Sequence, residues 1–171
     1  MRVFGIAGHS GMGKTTLLER LLPELQARGL AVSLIKHSHK DLDIDHPGKD
    51  SFRLREAGCA EVLLIGRRRW ALMHELREDE EPSLSYLLSR LQGCDLVLIE
   101  GFKQGDFPKL EVWRAAVGKL PLWPDLPGVA AIATDRNTSI LGISSLELSD
   151  ISGIADFICQ HAADMADVLS V

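Results

Sequence analysis

Apolar residues recur along the chain in two rhythms, short continuous runs and stripes spaced by three and four, and their alternation predicts strands interleaved with helices. Val3 to Ala7 is a continuous run that stops at Gly8. From Thr15 to Arg28, Leu18, Leu21, Leu22 and Leu25 fall on one helical face. Pro23 lies inside that stripe and lacks a backbone donor, so a kink is expected there, and Gly29 is suited to close the helix. Ala31 to Lys36 reads as a buried strand, and Asp50 is placed to cap a helix reaching about Ala57 and ended by Gly58.

The alternation then breaks. Glu61 to Ile65 and Trp70 to Leu76 are both β-rich, and Gly66-Arg67-Arg68-Arg69 between them can turn a hairpin. After the acidic stretch Glu78 to Glu81, Pro82 is expected to start a helix carrying Leu84, Leu87, Leu88 and Leu91. Leu96 to Ile99, Leu110 to Trp113 and Val129 to Ala133 read as further strands, and Ile151, Ile154, Ala155 and Ile158 as one face of a last helix. Ala115 to Gly128, with Pro121, Pro124 and Pro127, is the longest irregular piece. The expected architecture is α/β, a doubly wound, mostly parallel sheet with an inserted β-hairpin, in one domain over 1–171. Ligands of such sheets bind beyond the carboxyl ends of the strands.

Composition narrows the partners. The 171 residues carry 19 Lys+Arg against 24 Asp+Glu, a formal charge of -5, which gives no basic footprint for duplex nucleic acid. Cys59, Cys94 and Cys159 are odd in number and widely spaced, as in reduced cytoplasmic thiols. No apolar run approaches the ~20 residues that span a bilayer. Met1 to Gly5 leads directly into a strand, from which no signal peptide and a cytoplasmic location are expected.

Gly8-His9-Ser10-Gly11-Met12-Gly13-Lys14-Thr15 satisfies G-x-x-x-x-G-K-[ST] at every position, between a strand and a helix. Glycines let successive backbone N–H groups curl around an anion, and the helix amino terminus adds partial positive charge. A purine nucleoside triphosphate with Mg2+ is the expected ligand, Lys14 neutralising phosphate oxygens and the Thr15 hydroxyl ligating the metal. Leu96 to Glu100 ends in a carboxylate where such proteins hold the magnesium shell or orient a water, which makes Glu100 the candidate catalytic and metal residue.

The segment from Lys36 to Asp50 is dense in ionisable groups and follows the second strand. Asp43 and Asp45 are candidates for the magnesium shell, directly or through water, and Lys36 or Lys49 for a phosphate contact. His37, His39 and His46 have two readings, a transition-metal site and solvated loop side chains. Asp135, just beyond the run Val129 to Thr134, also has two: a guanine selector accepting from N1–H and N2–H together, or a turn residue.

The phosphate loop, Lys36-His37-Ser38-His39, Asp43 to Ser51, Ala57-Gly58, Arg69 to Met73 and Ile99-Glu100-Gly101-Phe102-Lys103 together resemble the MobB family of molybdopterin-guanine dinucleotide biosynthesis adapters, over about residues 1–160. The resemblance implies a GTP-binding, weakly hydrolysing homodimer that works in the cytoplasm on the molybdenum cofactor. Its implied partners are molybdopterin and the MobA-like guanylyltransferase that attaches GMP to it. It implies Gly11, Gly13, Lys14, Thr15 and Thr16 as nucleotide contacts and Glu100 near the metal. His9 stands where related dimeric ATPases have a lysine, so their trans-acting lysine mechanism is not expected. A nickel-chaperone-like GTPase, a small-molecule kinase or ligase, and a plain scaffold are the alternatives. The inserted hairpin over 61–76 either folds back on its own sheet or pairs two copies, burying Leu64, Trp70, Leu72 and Leu76.

Overall fold

In the computed structural model, which describes residues 1–38, 42, 44–102, 105–136 and 143–169, the run before the glycine loop forms β1 (Arg2–Ala7). On one side of it lies β5 (Leu96–Glu100) and then β2 (Val32–Lys36). On the other lie β6 (Lys109–Trp113), β7 (Val129–Thr134) and β8 (Ser144–Glu147). All five pairings are parallel, and a two-residue β9 (Ala163–Asp164) runs antiparallel to Arg2 and Val3. The α/β, mostly parallel sheet expected from the apolar rhythm is therefore what the chain forms. β5 is buried at every residue because a strand covered on both faces and both edges must be apolar almost throughout. β2, expected to be buried, is instead an edge strand with Leu34 40% exposed, since among the described residues only β5 pairs with it.

Helix α1 (Lys14–Ala27) lays Leu17, Leu18, Leu21 and Leu25 into the core beside Ile154, Ala155 and Ile158 of α4 (Ile151–His161). α1 continues through Pro23, which is exposed, so the lost donor does not end the helix while its buried leucines hold it. Gly29 closes it at φ 82°, with Gly29 N–H donating to Gln26 O at 2.9 Å and Leu30 N–H to Leu25 O at 3.2 Å, the paired bonds of a left-handed cap. Asp150 caps α4 by accepting from Gly153 N–H at 2.9 Å.

The chain divides into two compact units, 1–37 with 88–171 and 38–87. The smaller holds α2 (Asp50–Glu56) and an isolated antiparallel hairpin of β3 (Glu61–Ile65) and β4 (Trp70–His74). Asp50 opens α2 as its first residue; the cap position is Lys49, without a side-chain bond, so the carboxylate acts on the positive helix end instead. The helix expected from Pro82 is α3 (Leu84–Arg90), capped by Ser83, whose hydroxyl accepts from Tyr86 N–H at 3.2 Å. β8, β9 and a short α5 (Met165–Leu169) were not signalled by apolar runs, since all three are brief and β8 is mostly polar.

Candidate functional site

β1 is the point at which the sheet order reverses, with β5 on one side and β6 on the other, and the phosphate loop leaves its carboxyl end there. That is where open α/β sheets offer a crevice. Gly8, Gly11 and Gly13 have φ of 132°, 85° and 92°, a backbone that L side chains rarely adopt. A Cβ on Gly8 would also lie 2.5 Å from Val112 O, so the loop is pressed against β6. Met12 is fully buried and anchors the loop, accepting from Arg114 N–H through its sulfur at 3.3 Å, while Ser10, Gly11, Thr15 and Thr16 are exposed. Lys14 Nζ donates to Gly8 O at 2.9 Å and His9 O at 3.1 Å, which folds the ammonium back over the loop it belongs to.

Glu100 ends β5 in the same row as Ile6 of β1 and Lys36 of β2. Its side chain is 8% exposed and lies 3.4 Å from Lys36 Nζ through Oε2, an oxygen that is buried and makes no hydrogen bond among the described residues. Gly101 follows at φ 86°, and a Cβ there would stand 2.6 Å from His37 O, so the turn after Glu100 admits only glycine against β2. A strand-end carboxylate oxygen beside the loop that bears Thr15, ion-paired with Lys36 but without a hydrogen bond among the described residues, is a hard donor, and it suits Mg2+.

The other candidates separate. Asp45 belongs to the 38–87 unit, where Arg55 grips it from Nη2 at 2.6 Å and Nε at 3.3 Å and also reaches Glu75 at 2.7 Å. The Arg55 hydrogen bond holds the Asp45 carboxyl below its usual range. Lys49 and His46 are exposed on that unit, and His37 packs against Phe102 with ring centroids 5.1 Å apart. His39 and Asp43 lie outside the described residues. Among the described residues no three His, Cys, Asp or Glu side chains are grouped to hold a metal ion. Asp135 stands exposed at the end of β7, with Oδ2 3.9 Å from Arg114 Nε.

Three residues of β6 and its end were missed as functional candidates. Glu111 is fully buried and accepts from Leu122 N–H at 2.7 Å and Trp123 N–H at 2.9 Å, which pins the proline-rich loop. Burial pushes its carboxyl up, opposed by those two donors and by His9. The same loop meets the phosphate loop at His9 Nε2, 3.2 Å from Leu120 O. Lys109, 1% exposed, donates to the carbonyls of Gly105, Phe107 and Pro127 at 2.6, 3.1 and 2.9 Å, and burial pushes its ammonium down to about 8. Arg114 lies over Gly13. A charge at alternate positions of a strand otherwise apolar, Lys109 and Glu111 around Leu110, was the signal available in the sequence.

A family model described as MobB, molybdopterin guanine dinucleotide synthesis protein B, matches residues 3–135. The molybdopterin-guanine dinucleotide biosynthesis adapter protein of Escherichia coli (strain K12) is 43% identical over 162 residues, 92% of this chain and 91% of that protein. Its namesake in Haemophilus influenzae is 46% identical over 159 residues, 91% of this chain and 86% of that protein. A crystal structure of molybdopterin-guanine biosynthesis protein B shares the fold, with a TM-score of 0.71 at 24% identity over 92% of this chain and 98% of that one. With its phosphate loop at the reversal point of a parallel sheet and this kinship along most of its length, the chain belongs to the MobB family of P-loop proteins of molybdenum cofactor biosynthesis.

Proposed function

We propose that the protein binds GTP with Mg2+ at the phosphate loop and acts as an adapter that assists a MobA-like guanylyltransferase in attaching GMP to molybdopterin, forming molybdopterin guanine dinucleotide. The observation that carries the nucleotide half is the pairing of an intact glycine cradle with the buried carboxylate of Glu100 at the neighbouring strand end. The pathway half rests on the name and extent of the bacterial relatives.

In this reading the N–H groups of residues 8–16 hold the phosphate chain, and Lys14 leaves the Gly8 and His9 carbonyls to neutralise its terminal oxygens. Thr15 and Glu100 hold Mg2+, which supplies positive charge to the phosphates. Glu100 also orients water, giving at most a weak GTPase. Asp45, already gripped by Arg55, is assigned to the order of the small unit and not to the metal. Asp135 accepts both donors of the guanine edge.

The chain works as a homodimer joined through its hairpin. Cross-strand partners share a face, so Leu63 with Leu72 and Ile65 with Trp70 form one side, and Leu64 with Ala71 and Val62 with Met73 form the other. The first side is exposed at every position, with Ile65 at 80%, and we take it as the contact in place of one containing Leu64. No described helix is long and apolar enough to cross a membrane. We assign the protein to the cytoplasm, without a nucleic-acid or membrane partner. The test is reconstitution of GMP attachment with purified guanylyltransferase and molybdopterin. The protein with GTP should raise product formation and Lys14→Ala should not; equal yields with and without the protein would remove the adapter role.

A further inference from the structure

Among the described residues, the phosphate loop has a neighbouring cation that neither the motif nor the strand-end carboxylate accounts for. Arg114 follows β6 immediately, and its guanidinium lies flat against the last glycine of the cradle: Nη2, Cζ and Nε stand 3.4, 3.6 and 3.7 Å from where a Gly13 Cβ would be. Its backbone N–H is fixed to the loop through the Met12 sulfur at 3.3 Å. Nε is buried yet donates no hydrogen bond among the described residues, and the nearest carboxylate oxygen, Asp135 Oδ2, is 3.9 Å away, beyond hydrogen-bond range. A buried guanidinium nitrogen without an acceptor is costly, and a planar cation held over an anion cradle is matched to phosphate oxygens.

The position adds direction. Arg114 stands between Gly13 and Asp135, so a nucleotide whose phosphates enter the cradle and whose base reaches the end of β7 passes over it. We infer that Arg114 is a phosphate-binding residue of the nucleotide site, a second cation beside Lys14 that contacts the phosphate chain from the β6 side. The inference rests on the nucleotide reading above and identifies a contact that the loop motif does not contain.

The test uses the full-length protein, with inorganic pyrophosphate and GTP as probes in calorimetric titrations of the parent, Arg114→Met and Arg114→Lys. Methionine keeps the aliphatic packing on Gly13 and removes the charge. It should weaken pyrophosphate and GTP by a similar factor, roughly ten- to a hundredfold for a lost charge-assisted contact, and lysine should recover part of that loss. The preference for GTP over inosine triphosphate, which lacks the N2 amino group read by Asp135, should stay constant in both variants. Unchanged pyrophosphate affinity in Arg114→Met overturns the inference, as does an equal loss in the methionine and lysine variants, which would reduce Arg114 to packing. A changed GTP-to-inosine-triphosphate ratio with pyrophosphate unaffected would mean that Arg114 acts only through Asp135, and also overturns it. If the parent binds pyrophosphate but shows no guanine preference, the GTP assignment fails while Arg114 is still decided by pyrophosphate.

Discussion

The unit of residues 1–37 with 88–171 and the unit of residues 38–87 are ordered by different forces. The first buries a continuous apolar cluster, from Phe4 and Ile6 through Leu21, Leu25, Leu98 and Leu110 to Ile158. Each such side chain contributes about 1.5–3 kcal/mol on burial, and the sheet ladder satisfies the backbone between them. In the second, Val62 and Met73 are the buried hydrophobic residues among those described, and an ionic cluster of Arg55 with Asp45 and Glu75 stands beside them. Its hairpin meanwhile exposes Leu63, Ile65, Trp70 and Leu72. The contrast teaches that the phosphate loop is built on the unit with the continuous apolar core, whereas the small unit, with few buried apolar side chains, leans on a polar cluster.

The largest expected effect lies in the sheet. Leu21→Ala should cost about 2–5 kcal/mol through lost burial and a cavity, and should lower the whole melting transition. Chemical denaturation followed by circular dichroism measures it; a cost below ~1 kcal/mol would place the core elsewhere. Arg55→Ala should act on the other side of the comparison. Hydrogen exchange should lose protection across residues 45–75 and keep it in β1, β5 and α1, with GTP binding retained. A uniform loss over both units would erase the distinction between them.

Leu72→Asp sharpens the same contrast at the surface. It should convert the proposed homodimer to monomer with the phosphate loop intact, read by light scattering at micromolar concentration with and without GTP. A parent protein that is already monomeric would remove the dimer.

The smallest effect is a pH dependence. Burial holds Lys109 down to about 8 against the usual lysine value of 10.5, so between these values the unfolded chain binds more protons than the folded one. The parent should therefore gain stability relative to Lys109→Met as pH rises through that window. Thermal melts of the two proteins at several pH values check it, and a falling difference would show that the three carbonyls hold the proton more firmly than burial expels it.

Legibility followed the same division. Continuous runs such as Val3 to Ala7 and Leu96 to Ile99 announced strands because burial on both faces favours apolar residues at nearly every position. The phosphate loop was readable residue by residue because its chemistry is local in the chain. β2 misled, since an apolar run does not reveal whether a strand has one neighbour or two. Asp45 became a metal candidate through its ionisable sequence neighbours, which do not reveal its partner Arg55 in the next helix. Arg114 escaped notice for the same reason: only the sheet order, which sets β6 beside β1, brings it to Gly13.

The site at the reversal point is tested most directly by calorimetric titration of the parent with Mg2+-GTP and Mg2+-ATP, repeated with Lys14→Ala. GTP should bind more tightly than ATP by ~1–3 kcal/mol, the worth of one charge-assisted contact such as Asp135 offers to guanine. Lys14→Ala should abolish or greatly weaken binding of both nucleotides. Equal affinity for GTP and ATP, or undiminished binding after Lys14→Ala, would contradict the assignment of this strand-end cradle as a GTP site.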